Sequence, residues 1–276
     1  MTDDGKLSIL VIGAHPDDCD LRFGGTAMLY RALGHEVRFV SMCNGDGGHY
    51  CEGGGPLARR RYAEAQAAAR VADVRYDIMD IHDCELEPTV ENRKLVIRLM
   101  REARADLVLC HRANDYHSDH RAVGVLVQDA AYTVTVPNVC PLTPPLERSP
   151  VVGYLFDAFT DPTPYRATVA VDIDAVMERK IDMVGCHVSQ VHEWLVYESV
   201  GLEGYPQDAA GRRAHLAERL YRRYAEVADA CREALVRCYG QERGNRVRCA
   251  ESIMISQYGR GLPDEDWPIY FPFLAQ

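Results

Sequence analysis

Through the first half of the chain, short runs of aliphatic and β-branched residues alternate with longer stretches of helical periodicity. Residues 7–15 (LSILVIGAH), 36–45, 74–80 and 105–111 read as strands, and the stretches 25–33, 57–72, 91–103 and 119–132 that follow them read as helices. Four βα units in succession predict a parallel sheet with crossover helices. In a doubly wound order 3-2-1-4-5, the first and fourth strands are neighbours at the topological switch point, where such sheets bind ligands. The second half is less regular. Residues 151–159 and 167–173 read as strands, and 174–186 and 212–239 as helices, while five prolines between Pro137 and Pro150 predict an ordered loop. The pattern predicts a single α/β domain over 1–276: a Rossmann-like, doubly wound, mostly parallel sheet flanked by helices, with an irregular C-terminal extension. The closing DWPIYFPFLAQ is aromatic and proline-rich, so it is expected to pack on a surface or a partner subunit, which makes the chain a candidate homo-oligomer.

Composition narrows the function. A net charge of −10 over 276 residues disfavours nucleic acid as a partner, because duplex binding rests on Lys and Arg neutralising phosphates. No apolar run approaches the roughly 18–20 residues of a membrane span, and MTDDGK lacks the basic and apolar regions of a signal peptide, so a cytoplasmic location is expected. The ten cysteines form no C-x-x-C and read as reduced, mostly buried thiols.

The chemistry gathers where strands end. The first strand runs into Ala14-His15-Pro16-Asp17-Asp18, where a helix cap and a metal ligand set are equal readings. The fourth ends in His111-Arg112-Ala113-Asn114-Asp115-Tyr116-His117-Ser118-Asp119-His120. Three histidines and two aspartates in ten residues, facing His15 and Asp18 across the switch point, are hard to explain by packing and favour metal. His15, Asp18 and one histidine of the second cluster supply the three protein ligands and open position of a catalytic site. Asp17 is placed as the base, and a further histidine held by an aspartate can stabilise an oxyanion.

These residues resemble the LmbE/PIG-L family of metal-dependent N-deacetylases, whose members include mycothiol- and bacillithiol-pathway deacetylases. Asn44-Gly45-Asp46, Arg61-x-x-Glu64, Gly24-Gly25-Thr26, His187-x-Ser189-Gln190 and, more weakly, Ala250-Glu251 extend the likeness. The resemblance implies His15, Asp18 and His120 as ligands of one Zn2+, with Fe2+, Mn2+ or Co2+ as substitutes. It implies Asp17 as general base, His117 as the oxyanion-stabilising imidazolium oriented by Asp119 or Asp115, and Arg61 lining the pocket, with Arg59 and Arg60 as rivals for that place. Cys19-Asp20 departs from the commoner pair and, bordering the site, bears on substrate preference.

The implied activity is hydrolysis of an N-acetyl or other N-acyl group from an amino sugar, N-acetylglucosamine among them, or from a related small-molecule conjugate. The same two histidines and carboxylate would also make the facial triad of a non-heme Fe(II) enzyme, and an amidase acting on a larger amide is a further alternative. A degenerate binding domain would not keep every matched residue. A dinucleotide site is excluded by two carboxylates where pyrophosphate would sit. The loops 45–56, 137–150 and 199–211 are expected to build the outer pocket, and the Arg-rich helix 212–237 reads as a solvated face.

Overall fold

The aliphatic runs form strands because both of their faces are covered, so alternate residues serve two separate cores. The computed structural model describes residues 5–199 and 201–275. Its sheet has seven strands: β1 (Ser8–Gly13), β2 (Glu36–Cys43), β3 (Arg75–Ile81), β4 (Leu107–Cys110), β5 (Val151–Leu155), β6 (Val169–Asp172) and β7 (Ala250–Gly259), in the order β3-β2-β1-β4-β5-β7-β6. The pairs among β1–β5 are parallel, and β7 runs antiparallel to both its neighbours. Helices α1 (Asp18–Ala32), α2 (Gly54–Ala72), α3 (Val90–Glu102), α4 (Ser118–Thr133), α5 (Met177–Gly185), α6 (Leu195–Ser199), α7 (Ala209–Ala230) and α8 (Arg232–Tyr239) surround it. Ile9 and Val11 pack with Phe23 of α1, Ala68 of α2, Ile181 of α5 and Leu216 of α7. Leu10 and Ile12 face the other way, onto Val96 of α3 and Val123 of α4. The order 3-2-1-4-5 is as the sequence predicts.

Three expectations need correction. Helix α1 begins at Asp18, seven residues before its predicted start, because its first turn buries Asp18, Cys19 and Asp20 and so hides any amphipathic pattern. The predicted helix over 212–239 breaks at Cys231, which leaves helical geometry (φ −109, ψ 18), and Arg232 then bonds the carbonyls of Gly244 and Val247. The C-terminal extension is not irregular throughout, since β7 is a ten-residue strand inside the sheet. The aromatic tail folds onto its own chain: Tyr270 and Phe271 are buried, Phe273 meets Tyr30 edge to face at 5.0 Å, and the Tyr30 hydroxyl donates to the Tyr270 carbonyl.

The proline-rich segment is held by one side chain. Arg101 of α3, buried, donates to the carbonyls of Val134, Val136, Val139, Cys140 and Thr143, satisfying backbone that prolines keep out of regular structure.

β7 also carries a buried carboxylate that ties the C-terminal segment to α1. Glu251 accepts the N–H groups of Gly25 and Thr26 at 2.9 and 2.7 Å and the Thr26 hydroxyl at 2.6 Å, and it pairs with Lys180 of α5. Gly25 permits the approach, since a Cβ there would lie 2.9 Å from Ile173. Burial alone would lower the Lys180 ammonium, but Glu251 and Tyr224, whose ring centroid is 4.0 Å away, raise it. The Gly24-Gly25-Thr26 and Ala250-Glu251 motifs thus meet in one latch. Replacing Glu251 by Gln strands a buried ammonium, so Glu251→Gln is expected to cost about 3–5 kcal/mol in urea unfolding. Glu178→Gln, which removes an exposed pair with Arg213, should leave the urea midpoint almost unmoved.

Candidate active site

The site forms where β1 and β4 lie side by side and their C-terminal ends open into one crevice. The chain after β1 turns sharply, with the Asp17 N–H donating to the His15 carbonyl. This turn leaves His15 and Asp17 on the loop and Asp18 at the start of α1. Asp17 occupies the N-cap position but makes no side-chain cap, so capping does not account for these carboxylates. Asp18 instead folds back, its Oδ2 accepting the N–H groups of Ala14 and His15 at 3.0 and 2.8 Å.

One ring nitrogen each from His15 and His120 and one carboxylate oxygen of Asp18 lie within 4.8 Å of one another. His15 Nδ1 is 3.5 Å and His120 Nε2 3.4 Å from Asp18 Oδ2. Each imidazole turns its other nitrogen to a carboxylate at 3.1 Å: His15 Nε2 to Asp119, His120 Nδ1 to Asp115. Metal-ligating histidines are held in this way, with an outer carboxylate fixing tautomer and ring. The field agrees with the geometry. Burial would lower the His15 imidazole, yet its hydrogen bonds to Asp119 and Asp18 raise it to about 10, so the carboxylates favour positive charge at this point. The donor set fits a first-row divalent metal ion.

His117 stands at the start of α4 and lines the cavity. It caps α4, its Nδ1 accepting the Asp119 N–H at 3.2 Å, and burial together with His15 and His120 lowers its pKa. With Nδ1 accepting that bond, Nε2 is the ring nitrogen left to face the cavity. Asp119 Oδ2 stands 3.9 Å from its Nδ1, and Asp115 accepts the His117 N–H, so both aspartates touch this residue while their shorter side-chain bonds go to the two other histidines.

Of the three neighbouring arginines, Arg61 alone reaches the cavity. It is 2% exposed, bonds the Gly45 carbonyl, and lies 3.4 Å from Asp17 and 3.6 Å from Asp83. Arg60 turns to Glu193, Glu52 and Glu64, while Arg59 is exposed. Gly45 is required beside it, with φ +81 and a Cβ position 2.8 Å from the Arg61 side chain.

The cavity measures about 350 Å³ and is lined by His15, Asp17, Asp18, Arg61, His117 and His120, closed by Gly47, Gly48, Gln190 and Trp194. Of the loops expected to build it, only 45–56 does so; 137–150 is bound to Arg101, and no described residue of 199–211 lines it. Val200 falls outside the described residues. Cys19 and Asp20 do not border the cavity either. Both are fully buried, and Asp20 faces the equally buried His187 at 3.2 Å, so this pair is packed beneath the site. Glu64 accepts both the N–H and hydroxyl of Ser189, which explains the Arg61-x-x-Glu64 and His187-x-Ser189-Gln190 motifs together.

Three residues escaped sequence reasoning, and a fourth, His111, is counted in the second cluster but given no role of its own. His111 stacks on His120 at 4.0 Å with its Nε2 3.2 Å from Asp18, and burial with His120 lowers it to about 3, leaving it neutral. Arg22, one turn after Asp18, stands 4.0 Å from both Asp18 and Asp115. Asp83 accepts the N–H groups of Gly45 and Gly47, and Cys84, at φ +68, donates its N–H to Asp119 at 2.7 Å. The His-Asp-Cys sequence after the third strand was the available signal for the last two.

A family model described as GlcNAc-PI de-N-acetylase (PIG-L) matches residues 10–131. Diacetylchitobiose deacetylase of Thermococcus kodakarensis is 30% identical over 205 residues, 69% of this chain and 73% of that protein. 4-Oxalmesaconate hydratase of Pseudomonas putida is 26% identical over 211 residues, 72% of this chain and 80% of that protein. The structure of N,N'-diacetylchitobiose deacetylase from Pyrococcus horikoshii matches with a TM-score of 0.67 at 24% identity, covering 90% of this chain and 83% of that one.

Metal affinity, read by competition with a chromogenic chelator, should separate the two shells of this centre. Asp115→Asn and Asp119→Asn are expected to weaken binding by about 10–100-fold. Asp18→Ala and His120→Ala should weaken it further than either.

Proposed function

The chain belongs to the PIG-L family, and from that premise we propose that it is a metal-dependent N-deacetylase acting on a small N-acetylated amino sugar or conjugate. The observation that carries the reading is the arrangement of Asp17, held 3.4 Å from Arg61 and beside the His15–Asp18–His120 set but outside it. Zinc or another first-row divalent ion, held by His15, Asp18 and His120, supplies Lewis acidity and acidifies water in the pocket.

The remaining chemistry belongs to the chain. Asp17 accepts a proton as water oxygen bonds to the amide carbon, and returns it to nitrogen as the C–N bond breaks, releasing acetate and a primary amine. Its carboxylate is aimed by the buried Arg61 guanidinium. His117 donates Nε2–H to the oxyanion of the tetrahedral intermediate, and this hydrogen bond stabilises the developing charge. Gly47, Gly48 and Gln190 narrow the entrance, with the Gln190 amide bonded to the Gly48 carbonyl at 2.8 Å. Asp115 and Asp119 hold the two ligand histidines in register.

Among the described residues no helix is long and apolar enough to cross a membrane. This accords with a substrate that reaches the pocket from solution.

The hydratase relative favours a second reading, in which the same base and water add across a carbon–carbon double bond. Primary-amine release from a panel of N-acetylated amino sugars tests the first reading. The metal-loaded protein should release amine, and Asp17→Asn should lose about 10²–10⁴-fold in rate with metal content unchanged. Silence across the panel, with hydration of a carboxylated alkene, would replace deacetylation by the hydratase reading.

A further inference from the structure

Beside the catalytic cavity lies a second one, of about 230 Å³, and the two share Leu21, Leu195 and Arg223. Its floor is apolar, from α1, α6 and α7, and its rim is one stretch of α7 carrying Arg219, Arg222 and Arg223, with Glu226 the acidic lining residue. Positions 219, 222 and 223 fall three and four apart, which puts them on one face of the helix.

These arginines differ from those nearer the start of α7. Arg213 pairs with Glu178 and Asp182 at 2.8 Å, and Arg212 bonds the Pro206 carbonyl and Gln207; Arg219 is half-buried, while Arg222 and Arg223 are exposed, as the solvated-face reading of the helix expects. Arg219, Arg222 and Arg223 have no hydrogen-bond or ion-pair partner among the described residues, Glu226 and the pocket-lining Glu198 included. Three adjacent guanidinium groups repel one another, and a chain with net charge −10 does not lack carboxylates to neutralise them. Burial and the two neighbours lower the pKa of Arg219, so the cluster stands in its own unfavourable field. Arg223 meanwhile reaches the cavity that holds His15, Asp17 and His117. A planar guanidinium fork matches the oxygens of phosphate and carboxylate.

We propose that Arg219, Arg222 and Arg223 form an oxyanion subsite, which binds a phosphate or carboxylate of the molecule whose amide lies in the neighbouring catalytic cavity. The preferred substrate is therefore an anionic N-acyl amino compound. The apolar floor beneath the rim excludes water from one side of the anion and strengthens its pairing. The inference rests on the amide-hydrolysis reading for the substrate's other half, but the subsite can be read by binding alone.

The test is calorimetric binding of three probes to the metal-loaded Asp17→Asn protein, in which turnover is suppressed: N-acetylglucosamine, its 6-phosphate, and N-acetylmuramic acid. At least one anionic probe should bind roughly tenfold or more tightly than the neutral sugar, and the difference should shrink in about 0.5 M salt. The preference should vanish on adding Arg219→Gln and Arg223→Gln and survive Arg213→Gln; since Arg223 also lines the catalytic cavity, the neutral sugar is allowed some loss in the double variant, but a smaller one than the anionic probes. Which anionic probe gains tells phosphate from carboxylate. Equal binding of all three probes, a preference that outlives the double substitution, or an equal loss for neutral and anionic probes would overturn the proposal. If the preference is present but the protein with Asp17 intact releases no amine from any of the three sugars, the subsite stands and the deacetylase reading loses its support.

Discussion

The active end of this molecule depends on the convergence of carboxylates in one crevice. Asp17, Asp18, Asp83, Asp115 and Asp119 approach from three loops and two helix starts, and Asp18, Asp115 and Asp119 are almost wholly buried. Two like charges about 4 Å apart repel by roughly 4 kcal/mol at the effective dielectric of a protein site. The assembly is therefore tolerable only if positive charge is brought to it. Arg61 and Arg22 bring part of that charge, and the His15 and His120 rings each turn a nitrogen to one of the carboxylates, Asp119 and Asp115. Asp115 shows the result: burial would raise its carboxyl, but the His120 hydrogen bond and charge, the His117 N–H and Arg22 together outweigh it and hold it at about 2. A divalent cation at the focus of these groups would remove what repulsion is left, so on the proposed reading the residues that make the chemistry and those that keep the site folded are the same set.

That convergence places demands on the rest of the fold. His15 and Asp18 leave β1, and Asp115 to His120 follow β4, so the site exists only while these strands stay in register over Ile9↔Leu107 to Ile12↔Cys110. The first turn of α1 must lie beneath the crevice with its polar residues buried. Asp20 is compensated there by His187, and farther along the helix Gly25 and Thr26 are held by Glu251. Segments after residue 170 thus act on a site whose candidate ligands all come before residue 121.

Much of this was legible in the sequence because the signals were local. Parallel strands buried on both faces read as continuous aliphatic runs, and the His/Asp clusters sit where those runs stop. β7 was harder to see. AESIMISQYG alternates only partly, and what makes it a strand is its place between β5 and β6, which no local pattern records. The start of α1 was hidden for the opposite reason: site residues occupy its first turn and erase the helical periodicity. The pairing of Asp115 with His120 and Asp119 with His15 depends on how the α4 cap folds, which the resemblance, offering Asp119 or Asp115 as the partner of His117, did not carry. The break at Cys231 has no proline or glycine to announce it.

The split between halves of the chain carries the functional argument further. The family match, residues 10–131, contains Asp17, Arg61, His117 and the whole candidate metal set. Gln190, Trp194, Leu195 and Arg223, which close the cavity and lead out of it, lie beyond the match. A deacetylase and a hydratase can both be relatives of one chain if the shared half supplies an activated water and a base, and the other half decides which electrophile is presented to them. Amide carbon and activated alkene ask for the same proton transfer at Asp17, but they place their polar substituents at different distances from it. On the proposed reading, specificity would depend on what the α6–α7 side of the cavity holds in place, and Arg223 is the cation which that side presents to the cavity.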